Sequence, residues 1–498
     1  MLALPALLVS MDLTVLHLAV PSLSADLAPS SSQLLWIVDI YGFMIAGFLI
    51  TMGTLGDRIG RRRLLLIGAA AFGIASVLAA FSTSPEMLIA ARALLGIAGA
   101  TLAPSTLALI RNMFHDPAQR TVAISAWFTS FLAGAALGPV VGGALLEFFW
   151  WGSAFLIGVP VMVLLLVVGP VLLPEYRDPQ AGRVDLPSAG MALAAVLAVI
   201  YGLKQVAADG LTVLPVAVVV AGLVIGVVFV RRQRILATPL VDLGLFRSRA
   251  FSVSLGALTI SSVVMGGVGY LVAQYLQLVT GLSPLTAGLW MLVPLGVGIV
   301  SMVAAPLLVR RVRPGYVIAA GLGLAAVGFA VVSQVGDAST SAVVIIGLSI
   351  VFAGLMPVAA LGADVVLGAA PPERAGAASA ISETSQELGL ALGIALLGSI
   401  ATAVYRGQLA GTVPADVPGT AAEAARDTLG GATGVADQLP VAVLDAAADA
   451  FTNGMQAAAA VSAAALAGVA LAAAIALGRV GSEPDGHPDR QLHAPAST

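Results

Sequence analysis

Four carboxylic acids interrupt otherwise apolar stretches of the chain and are its first candidates for chemistry. Asp12 and Asp39 each stand alone, whereas Glu383 and Glu387 are four residues apart, so a helix would place both on one face. An ionised acid is disfavoured in an apolar surrounding, so such a group can load a proton or pair with a cation. The structural alternative for each acid is a protonated carboxyl that joins two helices by a hydrogen bond. We expect at least one of the four to be a coupling site.

One arginine, Arg92, lies inside a further apolar stretch that carries Gly96 and Gly99. An arginine within a membrane span costs roughly 2.5–3.5 kcal/mol even on lenient scales, so it should face the protein interior and find an acid. The alternative is that Arg92 extends to the nearest interface, which Glu86 places about 9 Å away along a helix. We favour the first interpretation and group Arg92 with the four acids.

The loop Gly53–Arg63 reads GTLGDRIGRRR and combines glycines, one acid and a cluster of arginines. A cluster of cytoplasmic positive charge would explain the arginines but not the embedded acid or the glycines. Glycines permit tight turns and close approach, and the acid can accept hydrogen bonds from a helix N-terminus. We therefore predict a charged latch that holds one side of the molecule shut in one state. Its residues are Gly53, Asp57, Arg58, Gly60, Arg61 and Arg62.

A second glycine-rich stretch reads GAALGPVVGG over residues 134–143. Gly134, Gly138 and Gly142 recur every four residues and would form one smooth helical face for a close neighbour. Pro139 removes a backbone hydrogen bond and bends the helix, and Gly143 extends the motif. Ordinary helix packing is the alternative to a functional role.

The elements that must position these residues are membrane helices. The chain is 59% hydrophobic and 10% charged, against about 25% charged residues in soluble domains. Windows of about 20 apolar residues, the length of a span, occur fourteen times. They lie near 2–23, 35–55, 64–82, 87–109, 121–145, 153–173, 187–206, 212–230, 250–277, 285–308, 315–334, 341–367, 375–402 and 455–477.

Arginine placement supports this count, because cytoplasmic loops collect basic residues. With the N-terminus inside, 19 of the 23 basic residues fall on the cytoplasmic side. They are Arg58, Arg61, Arg62, Arg63, Arg111, Arg120, Arg177, Arg183, Arg231, Arg232, Arg234, Arg247, Arg249, Arg310, Arg311, Arg313, Arg374, Arg479 and Arg490. Lys204, Arg406 and Arg426 fall outside or at the outer rim. We expect a multi-pass protein of the inner (plasma) membrane with both termini in the cytoplasm.

Polar segments divide the chain into four parts. Residues 1–174 form a first six-helix bundle, and 175–249 form a linker with two extra spans that carry almost no ionisable groups. Residues 250–478 form a second six-helix bundle with a long external loop at 403–454. Residues 479–498 read as a disordered cytoplasmic tail.

The loop motif matches GxxxD(R/K)xG(R/K)(R/K), so the chain resembles the major facilitator superfamily. The stretch 134–143 is similar to the gxxxGPxxGG signature of its drug:proton antiporters. Asp12-Leu-Thr-Val, Trp36-Ile-Val-Asp39-Ile-Tyr41 and Ala375–Glu383 resemble the fourteen-span drug:proton antiporter branch with its QacA/LfrA-like members. The resemblance implies an all-α fold of two six-helix bundles plus two linking spans, with roles for Asp12, Asp39 and Glu383 in protonation or cation recognition. Some members that handle divalent cations carry an acid in the tenth span, and residues 294–301 have none.

The predicted function is therefore proton-coupled efflux of hydrophobic, cationic drugs or antiseptics by alternating access. An exporter dedicated to one natural product remains an alternative function. A membrane-embedded enzyme is a remote alternative, because the sequence offers no clustered catalytic site. The chain has no Cys and no Walker A loop, and its four His are scattered, so we expect no metal, no cofactor and no ATP hydrolysis. The expected partners are the lipid bilayer, protons and a small substrate, with no nucleic acid, for a monomeric protein.

Overall fold

A computed structural model describes residues 1–114, 116–177, 185–236, 239–336, 341–371, 374–414 and 417–477. Within these ranges the chain is helical and contains no strand. Fourteen helical stretches are long and apolar enough to cross a membrane, which confirms the predicted number of spans. Arg183 and the tail 479–498 lie outside the described residues, so the disordered tail stays a prediction.

Residues 3–172 supply the first six spans. Their helices are α1 (Ala3–Leu27), α2 (Ser31–Ile59), α3 (Arg61–Ala80), α4 (Pro85–Met113), α5 (Pro117–Phe148), α6 (Ser153–Leu156) and α7 (Gly158–Leu172). The short α6 and the longer α7 form one span that is interrupted at Ile157.

Two further helices, α8 (Leu186–Asp209) and α9 (Val213–Ile235), form a hairpin and supply the two extra spans. The helix α8 packs against α9, α2 and the later helix α14 (Ala375–Leu409). The helix α9 leaves apolar side chains such as Val213 and Leu223 exposed, as expected for a surface that faces lipid.

The remaining six spans follow the hairpin. They are α10 (Arg249–Gln274) with a π-helical turn at Tyr275–Val279, α11 (Pro284–Val309), α12 (Pro314–Val332), α13 (Ser341–Gly368), α14, and α17 (Val441–Leu477). Two short helices, α15 (Gly419–Asp427) and α16 (Leu429–Gly434), lie between α14 and α17.

Helix starts follow local capping chemistry. Ser30 and Gln33 form a reciprocal capping box at the start of α2. Ser84, Asp116 and Ser283 cap α4, α5 and α11, and each is followed by a proline in the first turn. These polar caps satisfy amide groups that would otherwise be unpaired at the ends of long apolar helices.

The predicted external loop is shorter than expected, because α14 continues to Leu409 and α17 begins at Val441. The predicted bounds 403–454 were therefore wrong at both ends, since α14 continues through the polar residues after 402 and the Ala-rich segment 441–454 extends α17. Between the two helices, α15 and α16 form a cap that rests on the end of α1. The Tyr405 hydroxyl donates to Ala425 O at 2.7 Å, and Arg406 pairs with Asp427 at 3.4 Å.

The two bundles meet in the half of the molecule near this cap. There α2 packs against α14 and α5 packs against α11. The Gln277 amide of the π turn also donates to Leu18 O of α1 at 3.1 Å. We call this side the cap face and the side with loops 58–63, 231–249 and 310–313 the arginine-rich face. Close packing between the bundles is thus concentrated toward the cap face.

Candidate functional site

A buried ion pair joins the first and fourth spans. Arg92 Nη1 of α4 lies 2.6 Å from Asp12 Oδ2 of α1, and the arginine side chain is 1% exposed. Arg92 Nε also donates to Ile37 O of α2 at 3.2 Å, and the guanidinium lies 4.4 Å from the centre of the Tyr41 ring. Arg92 therefore faces the interior and finds an acid, so its extension to the interface is excluded. The pair and its neighbours fix α1, α2 and α4 relative to one another.

A second buried pair was not predicted. Lys204 Nζ of α8 lies 2.6 Å from Asp39 Oδ2 of α2, and the two side chains are 1% and 0% exposed. The ammonium also lies 3.8 Å from the centre of the Trp36 ring. The contact is a close ion pair between two buried side chains.

The prediction placed Lys204 outside or at the outer rim and did not anticipate that its side chain is buried between helices and paired with Asp39. Lys204 lies near the end of a long apolar segment, so sequence position alone suggested a rim residue. Its pairing with a buried acid of another span outweighs that trend, because an unpaired buried charge is costly.

The two glutamates of α14 have different surroundings. Glu387 lines a central cavity, and its Oε2 atom is shielded and makes no hydrogen bond to any described residue. Glu383 is one turn away and half-buried, but it is absent from the lining of that cavity. The helix thus presents one unpartnered carboxyl to the space between the bundles.

The central cavity has a volume of about 270 Å³ and is lined by both bundles. Arg92, His17 and Pro139 come from the first bundle, and Glu387 and Met265 come from the second. The rest of the lining is mostly apolar and aromatic. The cavity thus places a paired arginine on one wall and a free carboxyl on the other, while Asp39 is directed away toward Lys204.

The sequence matches the family model described as "Major Facilitator Superfamily" over residues 2–394. This chain belongs to the major facilitator superfamily. It is 45% identical to "Multidrug efflux pump LfrA" of Mycolicibacterium smegmatis, over 91% of this chain and 90% of the relative. It is 38% identical to "Methyl viologen resistance protein SmvA" of Salmonella typhimurium, over 89% of this chain and 90% of the relative.

The fold is also that of solved transporters of this kind. A crystal structure of a bacterial homologue of the human lysosomal transporter Spinster, inward-facing and unoccupied, has a TM-score of 0.67 and covers 96% of both chains. At 18% identity, this likeness concerns the fold. The superfamily consists of transporters and LfrA is named an efflux pump, so the two glycine motifs belong to a transporter.

In this superfamily member the loop between α2 and α3 is bonded within its own half of the protein. Asp57 pairs with Arg61 at 2.5 Å, one turn along the chain. The carboxylate that caps the N-terminus of α3 is Glu175, which accepts from the backbone amides of Arg62 and Arg63. Gly60 has φ +113°, and an added Cβ would lie 2.5 Å from Glu175 Oε1, so both conformation and space require glycine.

The interactions of this loop among the described residues lie within the first bundle and the segment after α7. We expected Asp57 to accept hydrogen bonds from a helix N-terminus, but in this conformation it binds Arg61, and the N-terminus of α3 is capped by Glu175. The latch role of Gly53, Asp57, Arg58, Gly60, Arg61 and Arg62 stays a prediction, and in this conformation the latch is disengaged from the second bundle.

The glycine stretch of the fifth span packs at very short range against α1. A Cβ added at Gly134 would lie 2.2 Å from Leu7 O, and one at Gly138 would lie 2.0 Å from Thr14 Oγ1. On its other side the same stretch meets the second bundle, where a Cβ added at Gly143 would lie 2.8 Å from Leu285 Cα. The α1–α5 contact therefore depends on the absence of side chains, and α1 carries Asp12.

We expect Gly138→Ala to lower transport and to destabilise the α1–α5 contact by about 1–3 kcal/mol, the usual cost of overpacking. The added methyl group would overlap Thr14 Oγ1. Efflux rate and thermal unfolding of the purified protein measure the two effects. Gly256→Ala is the matched control, since a Cβ added there has no atom within 4 Å.

The companion variant Gly138→Ala/Thr14→Ala removes the overlapping oxygen and leaves Thr14 Cβ at 3.2 Å as the nearest atom of that side chain. We expect it to recover much of the lost stability and transport. Wild-type behaviour of Gly138→Ala alone would show that the close contact has no role in transport.

His17 is a cavity residue that the sequence did not single out. Its ring lies 6.2 Å from that of Tyr270, edge to face, and so bridges α1 and α10. A single histidine near Asp12 in an apolar segment was the only available signal, because the scattered spacing of the histidines bears only on metal binding. Within the described residues no group of acids or histidines could hold a metal ion.

Proposed function

We propose that this protein exports hydrophobic organic cations from the cytoplasm in exchange for protons. The observation that carries this proposal is the unpartnered Glu387 carboxyl in an apolar cavity between the bundles. When ionised it attracts an organic cation, and when protonated it releases one. Proton and drug then compete for one carboxyl, which is the minimum requirement for exchange.

The ion pair of Arg92 and Asp12 has a different role in this proposal. Because Arg92 is paired with Asp12 and bonded to the backbone of α2, its guanidinium is held in place on one wall of the cavity. A cation in the cavity is therefore favoured on the side of Glu387. Loss of the Asp12 charge would free Arg92 and couple protonation of α1 to the packing of three helices.

Alternating access supplies the transport step. Packing near the cap face closes one end of the cavity, and rocking of the bundles would close the other end through the latch loop. By the positive-inside rule we assign the arginine-rich face to the cytoplasm, and with it both ends of the chain. We further propose that the transporter works as a monomer and needs no cofactor beyond the proton gradient.

The names of the two relatives support this class of substrate, since one is a multidrug efflux pump and the other a resistance protein against methyl viologen, an organic dication. The acid-free tenth span, residues 294–301, leads us to expect weaker export of dications than of monovalent cations. An exporter dedicated to one natural product is the second candidate. It would accept one compound and reject structurally unrelated dyes.

The test is uptake of ethidium into inverted membrane vesicles with an acidic lumen, with methyl viologen as the divalent probe. Each unit of pH difference supplies about 1.4 kcal/mol per proton, and each 100 mV adds about 2.3 kcal/mol per net charge. We expect uptake that slows when either the pH difference or the voltage is removed, because more than one acid can load a proton. A rate that ignores the voltage would indicate one proton per monovalent cation. Uptake that persists when both the pH difference and the voltage are removed would contradict proton exchange.

A further inference from the structure

Lys204 is the only lysine of the chain, and it lies on α8, one of the two helices of the hairpin between the two six-span bundles. Its ammonium is enclosed by an acid at 2.6 Å and by an indole ring whose centre is 3.8 Å away. The proposed transport chemistry uses the cavity residues and leaves this buried pair without a role.

A carboxylate beside the face of a tryptophan is a cation-binding arrangement. The ring quadrupole attracts ammonium ions, and the attraction is strongest where water is excluded. Asp39 adds a full negative charge within contact distance. Lys204 is thus held in the way that a bound organic ammonium would be held.

The surroundings of the pair suit a hydrophobic cation. Trp36 and Phe43 belong to an apolar cluster with Ile200 of α8 and Leu388 of α14. Ile200 and Leu388 also line a second, mostly apolar cavity of about 790 Å³ between the hairpin and the bundles. One layer of side chains therefore separates this cavity from the pair.

Charge directs a cation toward the same end of this second cavity. Its lining includes Arg231 and Arg234 near the arginine-rich face. Both lie at the end of α9, whereas Asp39 lies in the half of α2 near the cap face. A cation in the cavity is repelled by the arginines and attracted toward the acid.

The resemblance already implies cation recognition for Asp39, and beyond this we propose that Lys204 occupies the site formed by Asp39 and Trp36 as an internal ligand while α8 is docked. A cation that enters from the second cavity displaces the lysine and loosens α8 from α2. When the cation leaves, Lys204 returns, so Asp39 is not left as an unpaired buried charge. This inference rests on the proposed function only for the charge and hydrophobicity of the ligand.

Selective labelling of the single lysine tests the displacement directly. An amine-reactive ester can modify only Lys204 and the N-terminal amine, and the latter serves as the internal reference. In purified protein we expect slow labelling of Lys204, accelerated about tenfold or more by saturating tetraphenylphosphonium, which corresponds to ~1.4 kcal/mol of undocking. Neutral triphenylphosphine oxide, a probe of similar size, is expected to leave the rate unchanged.

Three variants sharpen the experiment. Asp39→Asn removes the charge and is expected to label fast without any cation, whereas Asp39→Glu keeps it and is expected to remain protected. Trp36→Leu keeps the acid but removes the ring, so intermediate protection is expected. Thermal unfolding of each variant shows whether it is folded, and Asp39→Glu keeps the test valid if Asp39→Asn is not.

Equal labelling of the wild type and folded Asp39→Asn would overturn the inference, as would tetraphenylphosphonium that binds without changing the rate. The vesicle assay is independent of this result. Proton-driven ethidium uptake with unresponsive labelling would leave the proposed function standing and remove the Asp39 site. Responsive labelling without proton-driven uptake would support the Asp39 site and contradict the proposed function.

Discussion

Protein that carries Glu387→Gln is expected to lose pH-driven accumulation of a hydrophobic cation, and its exchange of one cationic drug molecule for another is expected to weaken. Glutamine has the shape of the protonated acid but cannot release a proton. A pH difference of two units supplies about 2.7 kcal/mol per proton, so one coupled proton sustains roughly a hundredfold gradient of a neutral cargo. Loss of coupling should reduce the accumulation ratio to about one.

Two assays on the same proteoliposomes separate coupling from binding. Accumulation of ethidium under a pH difference reports on coupling, and counterflow without a gradient reports on binding and rocking. Glu383→Gln is the matched control, because Glu383 lies one turn away on α14 and does not line the central cavity. Full accumulation by Glu387→Gln would exclude Glu387, and uncoupling by Glu383→Gln alone would assign the proton to Glu383.

The second large effect is expected for Arg92→Met, which leaves Asp12 as a buried acid without its partner. Breaking a buried ion pair from one side typically costs about 3–5 kcal/mol, because a charge remains without compensation. The variant also loses the bond to Ile37 O and the contact with Tyr41. We therefore expect both a lower free energy of unfolding and a loss of efflux.

The double variant Arg92→Met/Asp12→Leu separates the two losses. It removes both charges, so stability should return toward that of the wild type, since well-packed apolar replacements of ion pairs are often neutral. Transport should stay low if the pair acts in the cycle. Full efflux by the double variant would reduce the pair to a packing element, and unchanged stability of Arg92→Met would contradict the pairing itself.

Much of the fold could be predicted because each span must be long enough to cross the bilayer and apolar enough to face lipid. A span needs about 20 apolar residues, and arginine collects on one side, so composition determined the fourteen helices. Helix ends were less accurate where a helix continues beyond its strongly apolar part, as α14 does to Leu409 through polar residues and α17 does from Val441 through Ala-rich sequence. The cap helices α15 and α16 had no span signal and were described only as a long loop.

The sequence singled out Arg92 and the four acids of the candidate site, but neither His17 and Lys204 nor the contacts among these residues. The cost of a charge in an apolar surrounding indicated that Arg92 needs an acid, and the sequence offered four. Only the packing of α1 against α4 selects Asp12, and only the helical register directs Glu387 rather than Glu383 into the cavity.

By itself, then, the sequence determined the helical class, the number of spans and which acids and arginine interrupt the apolar helices, because these depend on local composition and spacing. The tertiary structure decided which charges meet. Lys204 and Asp39 lie far apart in the chain, and nothing in their local sequence links them. They come together because the extra hairpin packs α8 against α2, and electrostatic pairing acts over a few ångströms of space rather than along the chain.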